Sequence, residues 1–171
     1  GISVANFLMG TKRLYDFINN NPQVEVYPVD HVNDPVVIAQ NDNMVCINSC
    51  VQVDLMGQVA WESIGLKQIS GVGGQVDFVR GAAMSKNGRS IMAMPSTVKG
   101  RSSKIVSVLD EGSAVTTSRN DVDYVVTEYG CVCLKGLSVW ERAEKLISIA
   151  HPKFRDQLWE AYYERYGKED Q

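Results

Sequence analysis

The chain has 171 residues, 44% of them hydrophobic, and sets 17 Lys and Arg against 20 Asp and Glu for a formal net charge of −3. That length supports one domain with a sizeable core, and the absence of a basic excess argues against a nucleic-acid surface. No apolar run approaches the roughly 18 residues of a membrane span, so no membrane partner is expected either.

Taken in order, residues 11–20 read as a short helix capped by Thr11, with Leu14, Phe17 and Ile18 as its apolar stripe and Asn19 to Pro22 as its stop. Residues 24–29 alternate like a half-buried strand ended near Pro28. Asp34 is placed to N-cap a two-turn helix with Pro35 at its first position, and Asn41-Asp42-Asn43 supplies the turn that ends it. Residues 44–47 and 51–55 read as successive strands, and Gly57 turns the chain into a third at 58–61. An up-and-down arrangement of these three puts Asn48 at a strand end.

The centre of the chain is Ser70-Gly71-Val72-Gly73-Gly74-Gln75-Val76-Asp77-Phe78. It follows a strand-like run and opens a helix over 76–84, whose apolar members are Val76, Phe78, Val79, Ala82 and Ala83. Three glycines in four positions remove the Cβ atoms that would keep a ligand from the backbone, and they permit positive φ. A helix starting at Gly74 or Gln75 leaves several first-turn N–H groups without an intrahelical partner, aimed with the positive end of the dipole into the loop. Such a loop can hold an anion or a polarised carbonyl. It can equally be a tight strand-to-helix turn with no ligand. Val76 stands where a dinucleotide fingerprint needs Gly or Ala, and no Gly-Lys-Ser/Thr follows as in a P-loop.

Asn87-Gly88 reads as a turn and 91–94 as a short buried strand. Residues 95–103 carry no periodicity and read as an exposed loop with Lys99, Arg101 and, just beyond, Lys104. A hairpin is expected from 105–109 and 114–117 about Asp110-Glu111-Gly112, then a strand at 124–127 and another at 131–134. Ser138 and Glu141 make a capping box for a helix that presents Trp140, Ala143, Leu146, Ile147 and Ala150 to the core. His151-Pro152 restarts the chain as a last helix to Tyr166, stopped by Gly167. Strands and helices alternate with antiparallel pairs mixed in, which means an α/β fold with an open mixed sheet covered by helices.

Cys46, Cys50, Cys131 and Cys133 lie inside apolar runs and read as buried free thiols acting as small hydrophobes. They fit a reducing cytoplasm and no metal site. No leader of basic then apolar residues is visible, and the chain reads as beginning inside a longer protein. Histidine occurs only at 31 and 151, and His151 reads as a cap on carbonyls of the helix before it. No nucleophile elbow is present. Glu128 and Asn48 each follow an apolar strand, where open α/β sheets place ligands, although each can also be a plain turn residue.

Several pieces occur in one order: Phe7-Leu8-Met9-Gly10-Thr11, Ile47-Asn48-Ser49 with Asp54-Leu55 and Gly57-Gln58, the glycine stretch, and Val125-Val126-Thr127-Glu128-Tyr129-Gly130. Leu134-Lys135-Gly136-Leu137-Ser138, Glu141-Arg142-Ala143 and Ile149-Ala150-His151-Pro152-Lys153-Phe154-Arg155 complete the set. Together they resemble the C-terminal domain of the acetyl-CoA hydrolase/transferase family, nearest its 4-hydroxybutyrate and butyryl CoA-transferases.

The resemblance implies a CoA-transferase-like (NagB/RpiA-type) domain over residues 1–171, part of an enzyme that moves coenzyme A between an acyl-CoA and a small carboxylate. The family's nucleophile is a glutamate in a G-I-H-[ST]-E-like segment that precedes the F-x-M-G-[ST] stretch, and this chain holds no such segment. No catalytic residue is therefore assigned here, and the chain alone is expected to be inactive without its N-terminal domain. Carried over by position, Gly71, Gly73 and Gly74 would lie against the thioester, Asn48 and Glu128 would line the same cleft, and Lys99 and Lys104 would meet coenzyme A phosphates. Coenzyme A enters as substrate, with no permanently bound cofactor, and the full-length protein is expected to be a homodimer. The alternative is a non-catalytic binding or interaction domain that keeps the fold.

Overall fold

The structure, a computed structural model, describes residues 1–167. Strand β1 (Ser3–Ala5), helix α1 (Lys12–Ile18) and strand β2 (Val24–Val26) form a small parallel unit. Its helix buries none of its residues, so Phe17 of the expected stripe faces solvent, and the Thr11 side chain makes no cap bond. Helix α2 (Val29–Val32) leads to α3 (Pro35–Ala39), where the Asp34 carboxylate accepts from the Val36 amide at 2.8 Å. A cap of this kind is worth about 1 kcal/mol.

Strand β3 (Val45–Asn48) is followed by β4 (Gln52–Asp54), β5 (Val59–Ala60) and the short hairpin of β6 (Ser63–Ile64) and β7 (Lys67–Gln68). The glycine stretch then opens α4 (Gln75–Met84), which returns the chain to β8 (Arg89–Ala93). A hairpin of β9 (Thr97–Val98) and β10 (Ser102–Ser103) precedes β11 (Ile105–Val106). Strands β12 (Tyr124–Thr127) and β13 (Gly130–Cys133), then α5 (Val139–Ser148) and α6 (Pro152–Tyr166), complete the chain.

The main sheet has the order β13-β12-β8-β3, with β3, β8 and β12 parallel and β13 antiparallel on the edge. A second sheet of order β11-β4-β5 shares its core. Cys46, Met92, Val125 and Val132 point from the main sheet into that core, where they meet Val79 and Ala82 of α4 and Ala143, Leu146 and Ile147 of α5. The open mixed α/β sheet expected from the alternation of elements is therefore present, covered by helices on this face.

Several expectations are corrected. Strands β3 and β4 do not run up and down beside each other. Buried Cys50 lies between them with its thiol 3.1 Å from the Met94 sulfur, and the chain passes there from one sheet into the other. Residues 105–109 and 114–117 do not form a hairpin, because β11 pairs in parallel with β4. Residues 114–117 are instead held to the β5–β6 region: Thr117 bridges Val59, and the Thr116 hydroxyl accepts from the Trp61 and Glu62 amides. The segment 95–103 is a hairpin with Ser96 fully buried, too short in its strands to show a period of two.

Helix assignments also change in detail. Ala83 is exposed and Gly81 buried, because α3 crosses α4 at the glycine. Trp140 is 51% exposed, while the other four apolar residues expected in that core are buried as read. Cys46 and Cys50 are buried, but Cys131 and Cys133 are exposed, on the face of β13 opposite Val132. His151 caps forward: its Nδ1 accepts from the Lys153 amide at 3.2 Å and starts α6.

Candidate functional site

Three parallel strands end at one edge of the main sheet, and they carry Asn48 at the end of β3, Ser96 just beyond β8 and Glu128 directly after β12. Helix α4 runs back against the strands, so its N-terminus opens on the same edge. Buried Gln75 fixes it there. Its amide nitrogen donates to the Ser49 carbonyl at 2.8 Å, and its amide oxygen accepts from the Thr117 hydroxyl at 2.7 Å. The glycine loop is thus tied to the residue after Asn48.

Within the loop the glycines differ. Gly73 has φ of +64°, a conformation that favours glycine, and an added Cβ there would meet nothing within 4 Å. Gly74 is the N-cap of α4, and a Cβ on it would stand 2.5 Å from Nδ2 of Asn33. Gly71 is exposed with open space around it and does not line the cleft.

Gly73, Gly74 and Asn48 line one cleft of about 290 Å³ with Asn33, Trp61 and Phe78. An adjoining, larger hollow of about 570 Å³ shares Asn33, Gly73 and Gly74 with it and is lined also by Asp30, Asp34 and Asp77. The two hollows suit different chemistry. Three carboxylates repel a phosphate, whereas the smaller cleft has no charged lining and offers amide dipoles at a helix N-terminus. A neutral carbonyl that gains negative charge as it reacts matches that side.

Asn48 is half-buried, and its amide nitrogen donates to the Cys46 sulfur at 2.9 Å. Burial pushes the Cys46 thiol up to about 11, with the Asn48 bond a smaller opposing effect, so the sulfur stays a neutral acceptor at physiological pH. The second N–H and the oxygen of the Asn48 amide have no other hydrogen-bond partner among the described residues.

Glu128 is held from β8. One carboxylate oxygen accepts from the Ser96 amide at 2.8 Å and the other from the Ser96 hydroxyl at 2.6 Å. The Ser96 hydroxyl holds the carboxyl below its ordinary range; burial opposes it as the next largest effect, and backbone amides and nearby His151 add smaller lowering ones. The turn behind it is fixed by Thr127, whose hydroxyl donates to the Ile149 carbonyl at 2.6 Å and accepts from the Tyr129 amide at 3.1 Å. A lowered carboxyl pKa means that the folded state favours the ionised form above the unfolded pKa, and that this gain disappears as pH falls through the folded value. Ser96→Ala removes the hydroxyl donor and keeps the amide, so the Glu128 midpoint is expected to rise toward that of a free glutamate. Carboxyl-carbon NMR over about pH 2 to 6 reads it; an unchanged midpoint would show that the hydroxyl holds nothing.

The sheet edge therefore brings Asn48 and the glycine loop into one cleft. Glu128 does not line that cleft: β8 lies between it and Asn48, and the register sets it three residues beyond the level of Asn48, roughly 14 Å away at the spacing of two strands and the rise of three residues. Lys99 sits at the exposed tip of the β9–β10 hairpin, with φ of +52°, and does not line the cleft. Lys104 is half-buried; its amide donates to the Ser96 carbonyl and its carbonyl accepts from Val53. Its charge lies near Cys50, whose thiol burial pushes up to about 12. Gln75, Asn33 and Ser96 were not singled out by sequence reasoning. A polar residue at the first helical position after a glycine run is the one local signal that pointed to Gln75.

The chain is similar to known proteins over nearly its whole length. Residues 10–162 match the family model of the acetyl-CoA hydrolase/transferase C-terminal domain. Over 167 residues the chain is 66% identical to the 4-hydroxybutyrate coenzyme A transferase of Clostridium kluyveri, covering 97% of this chain and 39% of that protein. It is 50% identical to the butyryl-CoA:acetate CoA-transferase of Anaerostipes caccae, covering 89% and 35%. Among solved structures, RipA from Yersinia pestis superposes with a TM-score of 0.91 at 49% identity, covering 98% of this chain and 38% of that one. The 4-hydroxybutyrate CoA-transferase of Porphyromonas gingivalis gives 0.81 at 51% identity, with 96% and 38% covered. The expected CoA-transferase-like fold is thus the observed one, and the chain spans about two-fifths of the length of these relatives.

Proposed function

We propose a function from one premise: this chain belongs to the acetyl-CoA hydrolase/transferase family, as its C-terminal domain. The chain is the acyl-CoA-binding half of an enzyme that moves coenzyme A between an acyl-CoA and a small carboxylate of the acetate, butyrate or 4-hydroxybutyrate type. The observation that carries this reading is the uncharged cleft at the N-terminus of α4, where the Gly73–Gly74 backbone and the Asn48 amide converge beside the edge that holds Glu128. The domain extends over residues 1–171, and the family resemblance supports a cytoplasmic homodimer for the completed protein.

In this reading a glutamate from the N-terminal portion attacks the thioester carbonyl, and coenzyme A leaves as the thiolate. The thiolate then attacks the glutamyl carbonyl of the resulting anhydride and expels the acyl group as a carboxylate, which leaves a glutamyl-CoA thioester. The acceptor carboxylate reverses the two steps. Splitting one exchange into easier displacements is what covalent catalysis supplies. Each displacement develops an oxyanion on a carbonyl oxygen, and in this reading the loop amides are the donors that stabilise it. Glu128, ionised and fixed by Ser96, sits along the edge as a fixed charge and hydrogen-bond acceptor rather than as the nucleophile.

The test is completion. The chain alone is expected to bind acyl-CoA without transferring coenzyme A, and joining it to the N-terminal portion of the Clostridium kluyveri relative is expected to restore transfer to acetate. Turnover by the chain alone would place a nucleophile within it and overturn the division of labour.

A further inference from the structure

The two hollows at the N-terminus of α4 are not independent. Asn6, Asn33, Gly73 and Gly74 line both of them, so a group held at the glycine backbone stands at the mouth of the larger, carboxylate-lined one. On this shared rim the Asn6 amide nitrogen donates to the Asn33 amide oxygen at 3.3 Å. The Asn33 amide nitrogen is the group beside Gly74, and neither it nor the Asn6 amide oxygen has a hydrogen-bond partner among the described residues. Both side chains are half-buried. One unused donor and one unused acceptor suit a hydroxyl, which can accept from the first and donate to the second. They suit a carboxylate poorly, since it can only accept. The larger hollow adds a bias of the same sign. No Lys, Arg or His lines either hollow, and Asp30, Asp34 and Asp77 are in no ion pair among the described residues. The N-terminus of α4 offsets them by roughly half a positive charge, against three carboxylates, so the hollow stays negative.

We propose that this rim is where the enzyme selects its acyl group. Asn6 and Asn33 take an uncharged polar end such as a hydroxyl, while Asp30, Asp34 and Asp77 turn away an acyl chain that ends in a second carboxylate. The proposal rests on the acyl-CoA reading of the cleft given above. In that reading the thioester carbonyl is held at the Gly73–Gly74 backbone, and the acyl chain leaves it along the rim. A chain that ends in a methyl or hydroxyl group meets amides there. One that ends in a carboxylate sets a like charge beside three others in a site with no counter-ion. Repulsion of the wrong substrate is as effective a source of specificity as attraction of the right one. It is also screened by salt, with a Debye length of about 10 Å at 0.1 M, whereas a steric limit is not.

The test uses the enzyme completed by the N-terminal portion of the Clostridium kluyveri relative. Acetyl-CoA is the donor, and butyrate, 4-hydroxybutyrate, succinate or monomethyl succinate is the acceptor. At low salt, kcat/KM for succinate is expected to lie about tenfold or more below that for monomethyl succinate, which is the same chain with its far charge removed. Raising the salt to about 0.5 M is expected to narrow that gap by about twofold or more. Asp30→Asn with Asp77→Asn is expected to narrow it by about threefold or more at low salt; Asp34 is left in place because it caps α3. Asn6→Leu is expected to lower kcat/KM for 4-hydroxybutyrate relative to butyrate by about fivefold, the worth of one neutral hydrogen bond. Ratios taken within each variant cancel any loss of folded enzyme. Succinate used as well as its monomethyl ester, or a gap that neither salt nor the paired substitution moves, overturns the repulsion. An unmoved ratio of 4-hydroxybutyrate to butyrate in Asn6→Leu overturns the hydroxyl contact. If the completed enzyme transfers nothing, calorimetric titration with butyryl-CoA and succinyl-CoA decides instead. Succinyl-CoA binding that is about tenfold weaker then keeps the selection and counts against the catalytic reading, and equal affinities overturn the selection. An active enzyme that does not discriminate keeps the catalytic reading and overturns the selection.

Discussion

Gly73→Val, made in the enzyme completed by its N-terminal portion, is expected to cut acyl transfer by about 10²–10³-fold, the usual loss when preorganised donors to an oxyanion are misplaced. The effect does not come from a clash, because a Cβ at Gly73 would meet nothing within 4 Å. It comes from the backbone. A φ of +64° is a left-handed conformation that costs an L-residue roughly 1–2 kcal/mol, and valine more than most. The loop is exposed and can relieve that cost by turning to negative φ, which swings the amides out of the cleft while α4 stays pinned through Gln75. Stability should therefore fall by less than the roughly 1–2 kcal/mol of the unrelieved strain, which is at most about 8 °C in melting temperature for a chain of this size. Gly71→Ala is the control, since Gly71 stands in open space outside the cleft and should keep near-parent transfer. Steady-state transfer from butyryl-CoA to acetate, with a thermal melt on each variant, separates the cases. A Gly73→Val enzyme that turns over like its parent would leave the loop as a turn and nothing more.

What the sequence made legible was whatever its determinants decide locally. Asp34 before Pro35, Ser138 with Glu141, and Gly167 after a helical run each satisfy end groups of their own helix, and each does so in the structure. The glycine loop and Asn48 were legible for a related reason, because a breaker or an amide directly after an apolar strand marks the strand end. Pairing was not. Nothing in residues 44–61 says that β3 will skip β4 and join β8, some forty residues on, once α4 has carried the chain back. The same non-local choice sent β11 to β4 and left 114–117 without a strand partner beyond Thr117.

The residues that support the site were hidden for the same reason. Gln75 reaches segments 26 and 42 residues away, and Ser96 meets Glu128 from 32 residues away, so neither partner is visible from the spacing near either residue. Cys131 and Cys133 were misread because apolar alternation reports that a face is suited to burial. It does not report which piece of protein covers that face.

The second large effect is on stability, and here helix propensity and packing disagree in sign. Gly81 lies inside α4, where an exposed glycine changed to alanine would gain up to about 1 kcal/mol. At this position a Cβ would stand 2.5 Å from Cγ2 and 2.6 Å from Cβ of Ile38, and 3.2 Å from the Pro35 carbonyl oxygen. Ile38 is itself 4% exposed, and α3 is five residues long, capped by Asp34 and started by Pro35, so the whole element has to move to make room. Overpacking of this kind costs typically about 1–3 kcal/mol, so Gly81→Ala is expected to lower stability despite the better helix former. Gly81→Val adds two more methyl groups to the same contact and is expected to exceed about 3 kcal/mol, or some 6–12 °C in melting temperature. The displacement has a consequence at the cleft. Asn33 immediately precedes the α3 cap, and its amide is the group that lies against Gly74. Pushing α3 outward draws Asn33 off the loop, so Gly81→Ala should also lower acyl transfer in the completed enzyme at temperatures where it remains folded. Melts of the two variants decide the matter, and a rise in melting temperature for Gly81→Ala would refute the close α3–α4 contact and with it the route from that contact to the glycine loop.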